Sequence, residues 1–533
     1  MNCGSEKVIN FNKILRDEGM KKLPIGIQTF KNIIEEGYVY VDKTPFALKL
    51  IESGGKYYFL SRPRRFGKSL FLTTLKEIFE GNRDLFKGLY IYERYDFKPH
   101  PVIRISFGSG DYSEIEAIKR TIFYILDENM ENLSVQCKNR DDYKICFSEL
   151  IKKVYLKYKE KVVILIDEYD KPILDNILNK DRAREARDIL KNFYSVIKDM
   201  DEFIRFVFIT GVSKFSKLNL FSGLNNLEDI TVDTEYADIC GYTQKDLETV
   251  FSDHLKGANM KLVRRWYNGY NYFGERLYNP FDILLFISKK FEFRNYWWST
   301  GSPSFLIDKL REENFYIPAL EGARISEEEL DAFDVERIGL LTLFWQTGYL
   351  TFKEKEVDEI LGGISYILTV PNIEVQRALN SLFVDYLTRQ EYEKHNFYKE
   401  ISRSLINGDF ESLINILKSI FASIPYQSYA NNIISKYEGY YSSVVYAYLC
   451  ALGYEVIPED NTNRGRIDLT LKLPDKVVII EFKVDSNEDP IEQIENKRYY
   501  EKYISINKTI YLLGIKFDSK ERNILEWNMV KKD

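Results

Sequence analysis

The chain contains 533 residues, 45% of them hydrophobic and 29% charged, which is the composition of a globular protein with two to four domains. Its net charge of −6 excludes a surface that binds nucleic acid through positive charge over its whole extent. The five cysteines are scattered and include no CxxC pair, which argues against a zinc knuckle or a disulfide framework. No run of about 18 apolar residues is present, which argues against a membrane span. We therefore expect a cytoplasmic protein with no membrane partner.

The N-terminal half begins with a polar segment that lacks the apolar core of a signal peptide, and we assign 1–20 to an extension. From Tyr57 to Gly211, short apolar runs alternate with longer helical patterns, and runs such as VVILI are typical of strands buried on both faces. This alternation predicts an α/β domain at 21–235, with a parallel sheet covered by helices. The predicted strands are Tyr57–Ser61, Val102–Phe107, Val162–Ile166 and Phe206–Thr210.

The first of these strands leads into the loop RPRRFGKS and then into an amphipathic helix. This is the order of a P-loop, in which Gly67 lets backbone N–H groups approach phosphates, Lys68 reaches the β- and γ-phosphates, and Ser69 binds Mg²⁺. The N-terminus of the helix directs its dipole towards the same anion. The pattern therefore predicts a nucleoside triphosphate site, and we take ATP as the nucleotide.

One position departs from the complete pattern G-x-x-x-x-G-K-[ST], because Arg62 stands where the first glycine belongs. The alternative is that Gly-Lys-Ser only begins an ordinary helix beside a basic surface and is not a phosphate site. The loop arginines are also candidates for an arginine finger. We assign nucleotide contacts to the loop and to one later aspartate, namely Arg62, Arg64, Arg65, Phe66, Gly67, Lys68, Ser69 and Asp167.

A second motif, KVVILIDEYD, is a buried strand that ends in two carboxylates. Asp167, at the carboxyl end of the strand, can hold Mg²⁺, and Glu168 can polarise the attacking water as a general base. At the end of the next strand, Thr210 or Ser213 could contact the γ-phosphate, although an ordinary polar strand end explains them equally well. The two motifs in this order predict nucleotide binding and, less directly because of Arg62, hydrolysis.

The middle of the chain, 236–425, reads as mostly helical and charged, as in TQKDLETVFSDHL. The stretch Leu340–Phe352, LLTLFWQTGYLTF, looks more like a strand and indicates a winged or hairpin element. We therefore assign this region to a helical domain with a winged-helix-like lid.

The last segment, 426–533, has the pattern of a compact α/β module of ordinary domain size. A helix is predicted at about Ile433–Leu452, and helical stretches are predicted on both sides of the last strand. The predicted strands are Tyr454–Pro458, Ile467–Leu473, Val477–Phe482 and Thr509–Gly514.

Two neighbouring strands of this module carry two carboxylates and a lysine. Asp468 lies on one strand, while Glu481 and Lys483 share a face of the next, and a tight turn makes the two strands antiparallel, so that Asp468 lies beside Glu481. Oxygen ligands of this kind suit Mg²⁺ or Mn²⁺, Lys483 would orient a water, and Glu438 on the preceding helix could complete the site. On spacing alone, a solvated charged face of an edge hairpin is an equally good interpretation.

The charge of the C-terminal module is a caution for a DNA-binding role. Residues 431–533 hold 15 Lys and Arg against 17 Asp and Glu, whereas a free-standing DNA-cleaving domain is usually more basic. Arg464, Arg466, Lys497 and Arg498 could form a local phosphate-binding rim; otherwise the N-terminal half or a partner chain must hold the nucleic acid. The catalytic candidates are Glu168, Glu438, Asp468, Glu481 and Lys483, and the metal-ligand candidates are Ser69, Asp167, Asp468 and Glu481.

The sequence also resembles a known family. GIQTFKNIIEEGYVYVDKT, FLSRPRRFGKSLFLTTL, VVILIDEYDKPI and FITGVSKFSKLNLFSGLNNLEDIT look like the AAA-ATPase-like family of prokaryotic proteins, in which RPRRFGKS is the usual loop. The C-terminal module resembles the PD-(D/E)XK nuclease superfamily, which implies a restriction-endonuclease-like fold in which Glu438, Asp468, Glu481 and Lys483 are joined by Gln493 on a later helix. All of these positions are filled, so the resemblance implies an active site.

The sequence as a whole leads us to expect a P-loop ATPase joined to a nuclease that depends on Mg²⁺, with Mn²⁺ as an alternative ion. The expected partner is nucleic acid, with DNA preferred over RNA. Defence or mobile-element control is the expected biological context, and the protein could form a homo-oligomer. One alternative is a nucleotide-driven switch whose C-terminal domain binds nucleic acid without cleaving it. Another is a pseudo-ATPase that holds nucleotide as a structural element.

Overall fold

A computed structural model describes residues 20–214, 226–297, 306, 309–310, 316–331, 339–358, 362–388, 394–424 and 438–532. The chain divides into two compact units. The first comprises 1–297 and 328–348, and the second comprises 298–327 and 349–533. Residues 1–19 of the N-terminal extension and the first five residues of the helix predicted at Ile433–Leu452 lie outside the described residues.

The first unit is built on a parallel sheet, as the alternating pattern predicts. Its described strands are β1 (Tyr57–Ser61), β2 (Val102–Ser106), β3 (Val162–Asp167), β4 (Ile204–Gly211) and β5 (Glu228–Asp229). Their order in the sheet is β2-β3-β4-β1-β5, and each described pair is parallel. Strand β4 therefore lies between β1, which precedes the P-loop, and β3, which ends in Asp167, so both motifs open at one edge of the sheet.

Helices cover this sheet because its strands are apolar on both faces, and the residues of β1 and β3 are all buried. A small hairpin of β6 (Asn268–Tyr270) and β7 (Leu277–Tyr278) also belongs to this unit. Its described helices are α1 (Phe30–Glu35), α2 (Thr44–Glu52), α3 (Lys68–Phe79), α4 (Ile115–Asn132), α5 (Tyr143–Tyr158), α6 (Lys171–Leu174), α7 (Lys180–Asp199), α8 (Gln244–Thr249), α9 (Met260–Tyr267), α10 (Pro280–Ser288), α11 (Glu327–Asp331) and α12 (Leu340–Thr347). The first residue of α11, Glu327, is assigned to the second unit, and the rest of that helix belongs to the first.

The stretch Leu340–Phe352 is mostly helix, so the prediction of a strand there was wrong for its first part. Helix α12 ends at Gly348, whose φ of 90° stops the helix in the left-handed conformation that glycine tolerates. Only then does strand β9 (Thr351–Val357) begin. An apolar run of this length fits a buried helix and a buried strand equally well, and tertiary packing decides between them.

The second unit holds two sheets. In the smaller one, β8 (Arg324–Ser326), β10 (Ile364–Thr369) and β9 are antiparallel, in the order β8-β10-β9, so the hairpin part of the middle-region prediction is present. Helices α13 (Ile373–Thr388), α14 (Lys394–Asn407), α15 (Phe410–Ser423), α16 (Glu438–Ala451) and α17 (Pro490–Asn496) complete the described helices.

The larger sheet runs in the order β11-β12-β13-β14-β15. Its strands are β11 (Glu455–Thr462), β12 (Gly465–Lys472), β13 (Lys476–Val484), β14 (Thr509–Asp518) and β15 (Asn523–Lys532). Pair β13–β14 is parallel and the other pairs are antiparallel. The segment after β14 was predicted to be helical, but it forms strand β15, because pairing with the free edge of β14 outweighs local propensity.

The middle region 236–425 does not stand apart as one unit. Helices α8–α10 belong to the first unit, whereas α13–α15 belong to the second. In the second unit the ring of Phe410 lies 4.9 Å from that of Tyr511, and the ring of Phe421 lies 5.1 Å from that of Phe517. These helices thus help to cover the larger sheet. None of the described helices combines the length and apolarity that a membrane span requires.

Candidate nucleotide site and candidate metal centre

The P-loop joins β1 to α3 and has the backbone geometry that phosphate binding needs. Gly67 caps α3 with φ 97° and ψ 12°, a left-handed conformation that glycine adopts without strain. Helix α3 begins at the next residue, Lys68, and Ser69 follows half-buried in its first turn. The N-terminus of a twelve-residue helix therefore lies at this loop, as an anion site requires.

Lys68 is buried beside the carbonyl groups of its own loop. Its Nζ donates to Arg62 O at 2.8 Å and to Pro63 O at 3.0 Å. Burial lowers the pKa of Lys68, while the carboxylates of Asp167, Asp170 and Glu168 act in the opposite direction. The structure thus brings the P-loop lysine within electrostatic range of the acidic end of β3.

We predicted nucleotide contacts for Arg62 and Phe66, but their side chains cannot make them in this arrangement, because both are buried away from solvent. The Arg62 guanidinium is 1% exposed and donates to backbone carbonyls. Phe66 is fully buried, with its ring 4.8 Å from that of Tyr270. The exposed Arg64 and Arg65 side chains remain candidates for contact with nucleotide.

The two acidic residues after β3 lie where the sequence places them. Asp167 is buried as the last residue of β3 and pairs in register with Ser106 of β2. Glu168 has a φ of 51°, a left-handed conformation that is uncommon outside glycine and occurs often at functional sites. Burial, followed by repulsion from Asp167, raises the pKa of Glu168. A half-buried carboxylate of raised pKa fits a general base.

The two sensor candidates differ in their surroundings. The Thr210 hydroxyl is buried and has no hydrogen-bond partner among the described residues. The Ser213 hydroxyl instead donates to Asp170, whose Oδ2 also accepts from the Ser213 amide at 2.6 Å and the Val212 amide at 3.1 Å. Asp170 was missed from the sequence, although its place three residues after Asp167 in IDEYD was a signal. It ties the acidic turn to the end of β4.

In the second unit, Asp468 and Glu481 lie on adjacent strands as predicted. The register pairs Leu469 of β12 with Ile480 of β13, which sets Asp468 opposite Glu481. Asp468 Oδ2 accepts from the amide of Phe482 at 2.8 Å. The antiparallel pairing that the tight turn predicts is therefore present.

Glu481 is the most unusual carboxylate of this centre. It is fully buried, and its Oε2 accepts from Gln493 Nε2 at 3.1 Å, while Oε1 has no hydrogen-bond partner among the described residues. Burial, followed by repulsion from Asp468, raises the pKa of Glu481 to about 9, and Lys483 acts in the opposite direction. A buried oxygen without a partner is costly unless a cation or proton satisfies it.

Glu438 opens helix α16 and faces the same charges. Burial, followed by Asp468, raises the pKa of Glu438 to about 7, and Lys483 again opposes the rise. Asp468 and Lys483 therefore act electrostatically on both Glu438 and Glu481.

Two further residues, Glu459 and Tyr316, border this centre and were not predicted from the sequence. Glu459 lies opposite Asp468, because the flanking pairs are Pro458–Leu469 and Asp460–Ile467. The hydroxyl of Tyr316 donates to Glu459 Oε1 at 3.3 Å. The cross-strand position of Glu459 required the register, which the sequence did not supply.

The predicted basic rim is partly occupied by local ion pairs. Arg466 pairs with Glu459, while Arg464 and Arg498 lie 3.6 and 3.5 Å from Glu501. These exposed pairs are weak and can be displaced by a phosphate. The rim is therefore less positive than its sequence suggests.

The donor set of the acidic centre fits a hard divalent cation. Its donors are carboxylate oxygens, which Mg²⁺ and Mn²⁺ prefer, and Glu481 Oε1 lacks a partner. Within the described ranges, no three acidic, histidine or cysteine side chains stand together in a ready-made metal cluster. Asp468 and Glu481 would hold the ion, and side-chain rotation or the nucleic acid would supply further oxygens.

Comparisons with known proteins match both the N-terminal half and the C-terminal module of the chain. The family described as predicted AAA-ATPase matches residues 24–221, and the PD-(D/E)XK nuclease superfamily matches residues 436–527. An uncharacterized protein in the vnfD 5′ region of Azotobacter chroococcum mcd 1 is 46% identical over 511 residues, which cover 95% of this chain and 98% of that protein.

A solved structure, that of the Aeropyrum pernix ORC1 protein in complex with DNA, aligns with 66% of this chain and 96% of the ORC1 chain. The sequence identity is 12% and the TM-score is 0.27, so this similarity carries no argument by itself. The chain belongs to the family of predicted AAA-ATPases that carry a C-terminal domain of the PD-(D/E)XK nuclease superfamily.

Proposed function

We propose that the protein binds and hydrolyses ATP with Mg²⁺ in its first unit and cleaves nucleic acid, with DNA as the expected substrate, in its second. The observation that carries the nuclease assignment is the buried, unpartnered Oε1 of Glu481 beside Asp468 and Lys483. A purely structural carboxylate in this position would be expected to have both oxygens bonded. The decisive experiment is a cleavage assay on linear, circular and single-stranded substrates, with and without divalent ions and ATP.

In the nuclease centre, each residue has a distinct task. Asp468 and Glu481 supply the oxygens that hold the cation, and Gln493 keeps Glu481 oriented through its hydrogen bond. When bound, Mg²⁺ or Mn²⁺ would polarise the phosphodiester and lower the pKa of a water. Lys483 would orient that water and offset negative charge in the transition state. Glu438 adds a further carboxylate at the helix N-terminus.

In the ATPase half, Lys68 would bind the β- and γ-phosphates once it leaves its carbonyl partners in the loop. Ser69 and Asp167 would hold Mg²⁺, and Glu168 would accept the proton of the attacking water. The buried position of Asp167 and the raised pKa of Glu168 support this division of roles. Arg64 and Arg65 are exposed and would meet the phosphates from outside the loop.

We expect Glu168→Gln to bind ATP as well as the wild type and to hydrolyse it about 10²- to 10⁴-fold more slowly, the range lost with a general base. The amide is nearly the same size but cannot accept the proton. Phosphate release and ATP binding should be measured side by side, with Glu160→Gln as the control at the other end of the same strand. Normal turnover in Glu168→Gln would rule out this residue as the base.

The chain passes between the two units on both sides of residues 328–348, and this connection favours nucleotide control of the nuclease. Residues 328–348 belong to the first unit, although the strands at their two ends, β8 and β9, belong to the second. Within the first unit, Lys214 at the end of β4 pairs with Asp229 at 2.9 Å and with Asp331. Gln346 donates to Lys214 O at 3.3 Å. This segment thus connects β4 through the chain to the smaller sheet.

We expect ATP to change the cleavage rate and Asp331→Asn to weaken that effect, because the substitution removes one charge from the Lys214 pair. Coupling of this kind is typically about 1–3 kcal/mol, or roughly fivefold to 150-fold. Cleavage with ATP, with ADP and without nucleotide would be compared in the variant and in Glu328→Gln, an exposed control on the same helix. Equal wild-type rates in all three conditions would show that the ATPase does not regulate this nuclease.

A further inference from the structure

Arg62 stands at the sequence position of the missing P-loop glycine, and its guanidinium is held by backbone carbonyls. Its Nη1 donates to Ser61 O at 2.9 Å and to Thr231 O at 2.7 Å, and its Nη2 donates to Tyr236 O at 3.3 Å and to Ala237 O at 3.4 Å. A buried arginine is costly to desolvate, and these carbonyls offset part of the cost. The side chain therefore joins the start of the P-loop to the segment that follows β5.

An aromatic residue from the β6–β7 hairpin covers the guanidinium. The guanidinium carbon of Arg62 lies 3.7 Å from the centre of the Tyr272 ring, and Tyr272 is itself buried. This is the stacked cation–π geometry that a planar guanidinium favours. In the same hairpin, Tyr270 meets the ring of Phe66 edge-on. The hairpin thus holds the P-loop at its first residue and again just before Gly67.

The backbone of Arg62 connects this arrangement to the phosphate-binding lysine. Its carbonyl accepts from Lys68 Nζ at 2.8 Å, and its amide donates to Gly211 O, the last residue of β4, at 3.4 Å. A shift of Arg62 would therefore move the carbonyl that holds Lys68. It would also change the spacing between the P-loop and β4.

We propose that Arg62 is a positioning residue for nucleotide binding and that Tyr272 clamps it: side-chain bonds hold the loop in the shape that other P-loops obtain from a flexible glycine. The inference rests on the proposed nucleotide site and adds to it a shape-determining pair outside the phosphate contacts. The positive charge of Arg62 also contributes, because a buried cation beside the loop favours the binding of an anion to that loop.

The test compares Tyr272→Leu with Tyr272→Phe in the full-length chain, using a fluorescent ATP analogue as the probe at a temperature well below unfolding. Phenylalanine keeps the stacked ring, so Tyr272→Phe should bind as the wild type does. Leucine removes it, and affinity should fall about tenfold, as for the loss of a desolvated cation–π contact. Arg62→Lys should behave like Tyr272→Leu, because an ammonium cannot span the four carbonyls.

The control for the loss of any buried aromatic ring is Phe147→Leu on helix α5 of the same unit, where the ring of Phe147 is buried 4.7 Å from that of Phe193. It should lower the unfolding temperature and leave nucleotide affinity unchanged. Normal affinity in both Tyr272→Leu and Arg62→Lys, with the wild type binding, would overturn the inference and leave the proposed ATPase standing. A wild type that binds no ATP would overturn both. If Tyr272→Leu fails to fold, Arg62→Lys alone decides.

Discussion

Glu481→Ala and Asp468→Ala should each lose divalent-metal binding and phosphodiester cleavage together. Each substitution removes a carboxylate oxygen that the cation needs. We expect cleavage to fall by at least about 10²- to 10³-fold, the loss that follows removal of one charge-stabilising group from an active site. EDTA should stop the wild-type reaction in the same way, and Mg²⁺ or Mn²⁺ should restore it.

Lys483→Ala separates metal binding from catalysis. The lysine is not an oxygen ligand, so the variant should still bind the ion, but it should cleave poorly because the water loses its orienting cation. Ca²⁺ should bind without supporting turnover, because its looser coordination positions water poorly. Calorimetric metal titration would be run beside the cleavage assay for every variant.

The matched control for the carboxylates is Glu526→Ala on the edge strand β15, whose side chain is exposed. It should bind metal and cleave normally. Folding should survive in all variants, since Glu481 contributes a buried and incompletely bonded carboxylate rather than apolar packing. A wild type that binds no divalent ion at this centre, or Lys483→Ala cleaving at the normal rate, would refute the nuclease proposal and leave the nucleotide-driven switch in its place.

The second large effect is expected for Lys68→Ala, which should weaken ATP binding by about tenfold to a hundredfold. The ammonium makes charge-assisted hydrogen bonds to the phosphates, and such bonds are worth about 1.5–3 kcal/mol. The unfolding temperature should stay near that of the wild type, because the substitution also removes a buried charge whose desolvation lowers its own pKa.

Lys76→Ala tests whether any lysine of helix α3 would give the same result. Lys76 lies two turns further along and pairs with Glu80 at 2.6 Å, away from the loop. Its removal should leave ATP affinity unchanged in the same titration. An ATP affinity equal to that of the wild type in Lys68→Ala would contradict the P-loop assignment and favour the alternative that Gly-Lys-Ser only begins a helix.

Much of the site could be predicted because its signals are local. Gly67, Lys68 and Ser69 are adjacent in the chain between a predicted strand and a predicted helix, so no distant contact was needed to bring them together. Asp468, Glu481 and Lys483 lie on two strands joined by a tight turn, so strand periodicity was enough to bring them together. Their register, with Leu469 paired to Ile480, agrees with that reasoning.

Other residues could be placed only by contacts that are distant in sequence. Arg62 looked like a phosphate contact, yet Thr231, Tyr236 and Tyr272, at least 169 residues away along the chain, bury its side chain. Glu459 joins the border of the acidic centre through cross-strand pairing. Neither arrangement leaves a periodic or spacing signal in the sequence.

By itself, the sequence determined the parallel-sheet domain, the C-terminal α/β module, the order of the P-loop and acidic strand, and the placement of the carboxylates and lysine on neighbouring strands, because these depend on hydrophobic period and near neighbours. The tertiary structure alone decided that LLTLFWQT is a helix, that the chain after β14 adds an edge strand, and that the middle region is shared between two units. The physical reason is that a short segment can satisfy its backbone as helix or strand, and its tertiary partners make the choice: apolar burial for α12 and the free edge of β14 for β15.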